Sequence, residues 1–523
     1  MSETTRRRLI MIAMDAAEAT LVERWIADGS LPNLERLRER GASGRLESPA
    51  QFLNAAAWPT FVAGIGPARN GIYNYLLWDP DDLSYVRPGP ELPDLPPFWR
   101  RAARECGLRS IVLDVPYVYP AEEFEGLELH GWAGHYKLVP TFTLPPEWLD
   151  QVQREFGEAP IEGYGPGLLP VRKYFEVRDT LVDASHRATE MAATLIEREP
   201  WDLFLISLSA THSGGHQLWD STNVRGTMSA EEADELGEAL KALYVESDRA
   251  IGRLLEAAGP DTACLVFALH GMGANTGLGA ILPEMLDRVL AGGPPEDEGE
   301  ADRPSLLKRL REAVPVEWRS AVKRRLPAAV QDWLTLFWRR SSAADWSVTR
   351  AFCLLPDREG FVRVNLAGRE AQGIVEPGRE FDELLAEIRE GLSSFVFSDT
   401  GEPAIYAVST PEELMSGIAP QVRRRLPDLV VHWTDRPAAD VPAVSSPRFG
   451  TVAWPKPGFA TDGQSGHHRG AGWFVAGGAG VRSGTLVGDA TVADLSATAL
   501  DLLGCPVPEE FDGRPLPVFE VEP

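Results

Sequence analysis

The chain has 523 residues, of which 44% are hydrophobic and 24% are charged, and its formal net charge is −26. This composition is ordinary for a soluble globular protein with one large domain or two to three average ones. The negative charge argues against a general nucleic-acid-binding protein, because phosphate contacts need a basic face, so we expect no nucleic-acid partner.

The four cysteines are widely spaced and form no Cys-x-x-Cys pattern, and Cys264 and Cys353 lie in apolar runs. We expect buried thiols rather than a disulfide framework, which favours a reducing cytoplasm. The basic residues 1–8 are followed by a short apolar run that Asp15 interrupts. That run is too short for a signal peptide or a membrane span, so we predict a cytoplasmic protein.

The first predicted element is a buried strand at residues 9–14, with Asp15 at its carboxyl end. Helical patterns follow at residues 21–26 and 32–40, and each is closed by a glycine. A carboxylate at the tip of the first strand is either a metal ligand or the N-cap of the next helix.

Residues 48–72 contain a loop that turns into a helix at Asn54, a residue type favoured at the N-cap, and Gly64 is expected to end that helix. The free N–H groups at such a helix start suit a phosphate or sulfate group. A strand ending at Asp114 and a long helical pattern at residues 176–197 come next.

The most informative stretch is residues 203–216, where an apolar run stops at small residues and presents His212 and His216. The run predicts a buried parallel strand, and ligands of such sheets bind beyond the carboxyl ends of the strands. Two imidazoles four residues apart share a face and can converge on one ion. The alternative is that one histidine belongs to the core and the other to a loop.

The second half of the chain continues the alternation of strands and helices. A helix is predicted at residues 230–258, and a strand at 263–269 precedes His270. Further patterns are found at residues 361–366, 381–392, 428–432 and 492–503, and a glycine-rich segment carries His467 and His468. The alternation predicts an α/β fold with a mainly parallel sheet and helices on both faces.

Residues 294–346 differ from the rest of the chain. An acidic, proline-rich lead precedes a basic, tryptophan-containing region at residues 303–340. We predict short amphipathic helices that form a cap on the acidic body, and docking on an anionic membrane surface is the alternative. The predicted organisation is a core of residues 1–293 and 347–523, with residues 294–346 as a helical insert.

Several of these segments together resemble the type I phosphodiesterase/nucleotide pyrophosphatase branch of the alkaline phosphatase superfamily. The resemblance spans most of the chain, apart from the insert. It is carried by Asp15, Leu-Pro-Asn-Leu at 31–34, Gly-Ala-Ser-Gly at 41–44, Trp-Pro-Thr-Phe at 58–61, His-Gly-Met at 270–272 and residues 492–504. It implies an alkaline-phosphatase-like fold and a phosphoric ester hydrolase with two divalent metals, usually zinc, at the strand ends.

The resemblance also implies which residues form the site. The family holds one metal with an Asp, a His four residues later and a C-terminal His, and the corresponding residues here are His212, His216 and His468. It holds the other with the first-strand Asp, a Thr or Ser nucleophile and an Asp-His pair, and the corresponding residues are Asp15, Asn54, Leu269 and His270. His467 is expected to be a loop neighbour that points away, and Asp114 and Asp220 are candidate substitute acids.

Two departures from the family pattern change the expected chemistry. Asn54 cannot form a covalent phospho-enzyme, because an amide is a poor nucleophile, but it can orient a phosphoryl oxygen. Leu269 removes a carboxylate, and two dications about 4 Å apart repel by roughly 4 kcal/mol even at an effective dielectric of about 80. We therefore expect one Zn²⁺ on His212, His216 and His468, with Asp15 and His270 completing or flanking the site. A second ion, or a divalent cation other than zinc, is the alternative.

The predicted function is hydrolysis of a small phosphate ester by metal-activated water, with Asn54 and His270 in the catalytic site. The alternative is an inactive descendant that keeps the fold and serves as an anion-binding or scaffold module. The missing nucleophile and the missing acid motivate this alternative.

Overall fold

The structure is a computed structural model that describes residues 7–89, 96–121, 125–134, 140–161, 168–294, 345–460 and 463–520. The strands within these ranges are β1 (Arg8–Met14), β2 (Ala42–Glu47), β3 (Leu77–Asp79), β4 (Ser84–Val86), β5 (Ser110–Leu113), β6 (Gly126–His130), β7 (Phe142–Leu144), β8 (Leu203–Leu208), β9 (Thr262–Ala268), β10 (Gly271–Ala274), β11 (Ala351–Cys353), β12 (Gly360–Val364), β13 (Val396–Phe397), β14 (Ile405–Ser409), β15 (Leu429–Trp433), β16 (Ala443–Ser446), β17 (Gly450–Ala453), β18 (Gly466–Arg469), β19 (Ala471–Gly478) and β20 (Leu486–Thr491).

The helices of the described ranges are α1 (Ala19–Ala27), α2 (Pro32–Arg40), α3 (Ala57–Ala63), α4 (Pro67–Asn70), α5 (Phe98–Cys106), α6 (Trp148–Phe156), α7 (Val171–Arg198), α8 (Ala210–Leu218), α9 (Ala230–Gly237), α10 (Ala239–Ala258), α11 (Leu282–Ala291), α12 (Arg379–Ser393), α13 (Pro411–Leu414), α14 (Pro420–Arg423) and α15 (Val492–Leu502).

A nine-stranded sheet in the order β20-β2-β19-β9-β1-β8-β5-β6-β7 forms the centre of the molecule. Its middle strand β1 runs parallel to β8 on one side and to β9 on the other. Beyond β9, strand β19 runs antiparallel to both β9 and β2. The predicted sheet, mainly parallel, is thus confirmed, with antiparallel strands toward its edges.

Alternating side chains of β1 face two separate apolar clusters, as the period of a strand requires. Ile10 and Ile12 join the cluster that α1, α2, α7 and α10 cover. Leu9 and Met11 join the opposite cluster, which α3, α5 and α15 cover. Because both faces of β1 are buried by helices, its sequence is continuously apolar. Helices therefore lie on both faces, as predicted.

Two predicted helices differ in detail from the structure. Asn54 is not a helix N-cap but opens a 3-10 turn, Asn54–Ala56, that leads into α3. Gly64 ends α3 as expected, in the left-handed conformation with φ of 70°. The helix predicted at residues 230–258 is divided at Glu238 into α9 and α10. Asp15 is no N-cap either, because Glu18 caps α1.

A second body, formed by α11 and residues 345–460, packs beside the large sheet. It contains the antiparallel sheet β11-β12-β15-β14 and the small sheet β13-β16-β17. Its apolar side chains form a cluster of their own, to which α11 and α12 contribute. The chain returns to the large sheet only with β19 and β20.

A further apolar cluster, here called the seam cluster, joins the two bodies. It combines residues in and just before the 3-10 turn Asn54–Ala56 with residues at the two ends of the β11–β12 connection, among them Leu53, Ala55, Leu354 and Phe361. The seam cluster holds the β11–β12 connection, residues 354–359, against the start of α3.

The predicted insert at residues 294–346 lies almost entirely outside the described residues, as does the basic region 303–340. The division of the chain at those boundaries therefore stays a prediction. No helix within the described ranges is both long enough and apolar enough to span a bilayer.

The aromatic packing beneath α3 yields a stability prediction. The ring of Phe61 is fully buried and lies 5.6 Å from Phe98 and 5.1 Å from Phe267, centroid to centroid. We expect Phe61→Ala to lower the free energy of unfolding by about 3–5 kcal/mol, measured by urea denaturation, because it leaves a cavity. Tyr406→Ala, at a ring that is 65% exposed, should change it by less than about 0.5 kcal/mol. Equal losses in the two variants would contradict this assignment of the core.

Candidate metal centre

The candidate site lies at the carboxyl edge of the large sheet, where three parallel strands end side by side. The register pairs Met14 of β1 with Leu208 of β8, and Ala13 of β1 with Phe267 of β9. The residues that follow these strands, Asp15, the start of α8 and His270, therefore meet at one edge.

His468 reaches the same edge from the far end of the sequence. Strand β18 pairs antiparallel with β10, so that His468 lies opposite Met272. Strand β19 then enters the sheet antiparallel to β9, with Trp473 opposite Ala268. Because an antiparallel neighbour begins where β9 ends, the residues just before β19 lie at the carboxyl edge.

The glycine pair between His212 and His216 lets α8 sit close to its neighbours. A Cβ atom on Gly214 would lie 2.1 Å from Leu243 of α10, and one on Gly215 would lie 2.8 Å from Met272. A side chain at either position would force these neighbours to shift. The close approach presses the face of α8 that carries both histidines against β10 and β18.

Three imidazoles, the imidazole trio of His212, His216 and His468, converge in the structure. The Nε2 atom of His468 lies 3.1 Å from Nε2 of His216 and 3.2 Å from Nε2 of His212. Nitrogen ligands at 2.0–2.1 Å from a tetrahedral zinc ion are separated by about 3.3 Å. The two distances from His468 to its neighbours therefore fit such an ion.

The partners of Nδ1 in two of the rings indicate whether Nε2, the nitrogen that faces the centre of the trio, carries a proton. Nδ1 of His216 lies 2.9 Å from the carbonyl oxygen of Gly466, which can only accept, so Nδ1 carries the proton. Nδ1 of His212 lies 3.0 Å from Oδ2 of Asp15. His216 thus turns an unprotonated Nε2 toward His468, and a proton on Nδ1 of His212, on the side of the Asp15 carboxylate, would leave Nε2 of that ring unprotonated as well, as in ligating histidines whose other nitrogen faces a carbonyl or carboxylate.

His468 is neutral in this environment. Its pKa lies well below the ordinary value of 6.5, because the ring is buried and faces His216 and His212. A neutral imidazole is the form that binds a metal. A proton on Nε2 of His468 could be donated to only one of the two neighbouring Nε2 atoms, whereas a cation could be bound by all three rings.

Asp15 and His270 lie beside the imidazole trio. Oδ1 of Asp15 accepts a hydrogen bond of 2.9 Å from Nε1 of Trp58 and lies 3.9 Å from Nε2 of His270. His212, His270 and His468 each offer a ligand atom within 4.8 Å of the others. The structure thus brings Asp15 and His270 to the trio, while their roles stay predictions.

Asn54 faces the second body. Its Nδ2 lies 3.2 Å from Oδ2 and 3.4 Å from Oδ1 of Asp357. Its Oδ1 is buried and accepts no hydrogen bond from any residue that the structure describes.

The family model for type I phosphodiesterases and nucleotide pyrophosphatases matches residues 9–439, which is most of the chain. The chain belongs to this family. Membership in this family makes it a phosphoric ester hydrolase, which confirms the prediction from the sequence. No curated protein matches the chain.

Two solved structures match the chain over nearly its whole length. The chain is 14% identical to phosphonoacetate hydrolase from Sinorhizobium meliloti 1021 in complex with phosphonoformate, with a TM-score of 0.51 and coverage of 95% of this chain and 96% of that one. It is 11% identical to murine ectonucleotide pyrophosphatase/phosphodiesterase 5, with a TM-score of 0.46 and 96% of each chain covered. The first likeness confirms the alkaline-phosphatase-like α/β fold.

Leu269 stands at the position where the resemblance to the phosphodiesterase family predicts a metal-binding acid. Its side chain is buried in the apolar cluster under α3. The candidate substitutes that the sequence suggested are engaged elsewhere. Asp114 accepts backbone hydrogen bonds of 2.8 and 2.7 Å from Trp132 and Ala133, and Asp220 accepts one from its near neighbour Thr222. Neither contacts the imidazole trio.

Sequence reasoning missed Asp357 and misjudged His467. His467 was expected to point away, but its side chain is only 11% exposed and its Nε2 lies 3.5 Å from Oδ1 of Asp357. Burial, together with the charges of Arg358 and Arg469, lowers the pKa of His467 to about 3. Burial raises the pKa of Asp357, against the hydrogen bond from Asn54. No motif near Asp357 signals this contact, which joins residues of two bodies.

The lowered pKa of His467 predicts an acid-sensitive site. Unfolded, the ring takes up a proton below pH 6.5, whereas in the folded protein it stays neutral down to about pH 3. Stability is therefore fully present above pH 6.5 and falls by about 1.4 kcal/mol per pH unit below it. In EDTA-treated protein we expect His467→Gln to lose about 2 kcal/mol less than wild type between pH 7 and pH 5, measured by urea denaturation.

The matched control is His186→Gln, at an exposed histidine of α7. It should keep the wild-type pH dependence. If His467→Gln shows the same acid loss as wild type, His467 is not the neutral buried ring described here.

Proposed function

We propose that this family member hydrolyses a small phosphate ester with the help of one divalent cation, and that His212, His216 and His468 hold it. The main support is the pair of Nε2–Nε2 distances of 3.1 and 3.2 Å within the imidazole trio. Three neutral imidazoles with a fourth position left to water or substrate are a donor set typical of catalytic zinc. Zn²⁺ is therefore the cation we propose.

The residues around the trio fit such a cation. Asp15 lies against Nδ1 of His212 and the Gly466 carbonyl against Nδ1 of His216, so both rings are oriented by a second partner. When bound, a divalent cation polarises a phosphoryl oxygen and makes a nearby water more acidic. Asp15 supplies negative charge at its flank, and His270 adds a fourth neutral imidazole.

Water rather than a side chain is the nucleophile in this proposal. Asn54 occupies the family's nucleophile position, but an amide does not form a stable phospho-enzyme. Its N–H groups are suited to hold a phosphoryl oxygen as charge develops on it. Asn54 is thus an orienting group in this proposal, carried by the 3-10 turn that precedes α3.

The substrate class is a small phosphate ester, which the family match supports. Work in the cytoplasm, the lack of a nucleic-acid partner and docking of residues 303–340 on a membrane all stay predictions.

Removing one member of the trio tests the proposal directly. We expect His216→Ala to lose its bound zinc, measured by plasma mass spectrometry of the dialysed protein. Its turnover of bis(p-nitrophenyl) phosphate should fall at least about 10³-fold, because the cation contributes several kcal/mol to the transition state.

His186→Ala is the matched control, since His186 is an exposed histidine of α7 that is not a member of the trio. It should retain one zinc per chain and the wild-type rate. Undiminished turnover in His216→Ala, or wild-type protein without zinc, would rule out this mechanism.

A second candidate function is an inactive anion-binding protein, and the occupation of the nucleophile position by Asn54 favours it. The two functions differ in how Asn54 variants behave. If water is the nucleophile, Asn54→Ala should lower kcat by about 10²–10³-fold, the usual effect of losing an oxyanion donor. If wild type is inactive and only Asn54→Thr hydrolyses the ester, the inactive-descendant function is correct.

A further inference from the structure

A carboxylate of the second body reaches into the candidate site. Asp357 lies on the connection between β11 and β12 and contacts Asn54 of the main body at 3.2 Å. Asp357, His467 and His468 each offer a ligand atom within 4.8 Å of the others. One of the three, His468, also belongs to the imidazole trio, so Asp357 is a direct neighbour of the proposed zinc site.

The connection that carries Asp357 is firmly held. Leu354 and Phe361 anchor its two ends in the seam cluster. Between them, the amide of Leu355 donates to the Tyr85 hydroxyl at 2.7 Å, and Arg358 donates to the Gln51 carbonyl at 2.7 Å. Asp357 is therefore positioned by the fold rather than by a chance approach of a mobile loop.

Asp357 has a largely buried carboxylate that accepts hydrogen bonds from Asn54 and from the backbone N–H of Arg358, but it has no cationic side chain as a partner among the described residues. Its side chain is 14% exposed. The nearest arginine, Arg358, binds Glu359 and the Gln51 carbonyl, and no Lys or Arg side chain in the described ranges pairs with Asp357. A buried carboxylate is costly unless it is paired or coordinates a metal.

His467 does not provide that positive charge. Its Nδ1 accepts a hydrogen bond of 2.9 Å from the backbone N–H of His468, so its proton is on Nε2, which points at Asp357. In this tautomer His467 is neutral and cannot ligate a metal through Nε2. It is a positioning residue that orients the Asp357 carboxylate.

Asn54 can supply a second oxygen next to the Asp357 carboxylate if its side-chain amide is flipped. In the structure its Oδ1 is buried without a hydrogen-bond donor among the described residues, while its Nδ2 faces Asp357. A flip exchanges the two atoms and places an amide oxygen at the position of Nδ2, 3.2 Å from Oδ2 of Asp357. Neighbouring oxygen ligands of an octahedral Mg²⁺, at 2.0–2.1 Å from the ion, are about 2.9 Å apart. The flipped amide would also move its N–H groups away from Asp357, to the buried position that Oδ1 now occupies.

We propose that Asp357 and Asn54 form a second cation site, selective for an oxygen-preferring ion such as Mg²⁺ or Mn²⁺. Such ions are typically held by one or two protein oxygens together with phosphate oxygens of a substrate. The inference rests on the proposed function, because its ion would share the phosphate group with the cation on the imidazole trio. Asp357 would restore, from another body of the molecule, the carboxylate that Leu269 lacks.

The test is a titration of zinc-loaded full-length protein with Mn²⁺, followed by the loss of the free Mn²⁺ signal in electron paramagnetic resonance, with and without inorganic phosphate. Wild type should bind one Mn²⁺ per chain, more tightly with phosphate. Asp357→Asn should bind it more than about 100-fold more weakly, since even an outer-sphere partner of a metal contributes about 10–100-fold. Its zinc content should stay at one per chain.

Two further variants make the outcome decisive. Asp357→Glu keeps the carboxylate and should restore most of the Mn²⁺ affinity, and Asp399→Asn, at an exposed acid of the second body that pairs with Arg436, should leave it unchanged. Wild type that binds zinc but no Mn²⁺, or Asp357→Asn that binds Mn²⁺ as tightly as wild type, overturns the second site. Loss of zinc in Asp357→Asn also overturns it, because Asp357 would then belong to the first site. In all three cases, zinc-dependent hydrolysis by wild type would leave the proposed function intact.

Discussion

The central constraint on this molecule is the close approach of unprotonated imidazole nitrogens at one edge of its sheet. Two rings, His212 and His216, turn Nε2 lone pairs toward a third at 3.2 and 3.1 Å. Like partial charges at that distance repel, and burial removes the water that would screen them. The fold nevertheless holds both rings through Asp15 and the Gly466 carbonyl. Such an arrangement is stable when a cation lies between the nitrogens, which is why we interpret the edge as a metal centre.

Much of this arrangement follows from local sequence. Continuous apolar runs bounded by glycine and polar residues identified β1, β8 and β9 to within a residue, because strands buried on both faces have no other pattern. Parallel neighbours end at the same edge, and this rule alone places Asp15, His212 and His270 together. His468 required the family resemblance, since nothing local indicates that an antiparallel strand brings the end of the chain to that edge.

The parts that sequence could not predict depend on contacts between distant residues. Asp357 and Asn54 are 303 positions apart and meet only because the seam cluster joins two bodies. His467 was misjudged for a different reason. It was expected to be a loop neighbour that points away, but it lies within β18, which pairs with β10. The rings of His467 and His468 have centroids 5.2 Å apart, and both are buried.

The balance of charge connects these observations. The edge of the large sheet contributes a single carboxylate, Asp15, to the neutral rings around it, which suits one dication better than two. Asp357 changes that balance, because it adds a second carboxylate on the side of Asn54 without adding a cationic side chain. The substrate phosphate would bring further negative charge to the same place. A site that is short of carboxylates by itself would therefore hold a second cation more tightly together with its substrate. The binding of ion and substrate would then be coupled, and the second body, rather than the sheet, would supply the carboxylate on which that coupling depends.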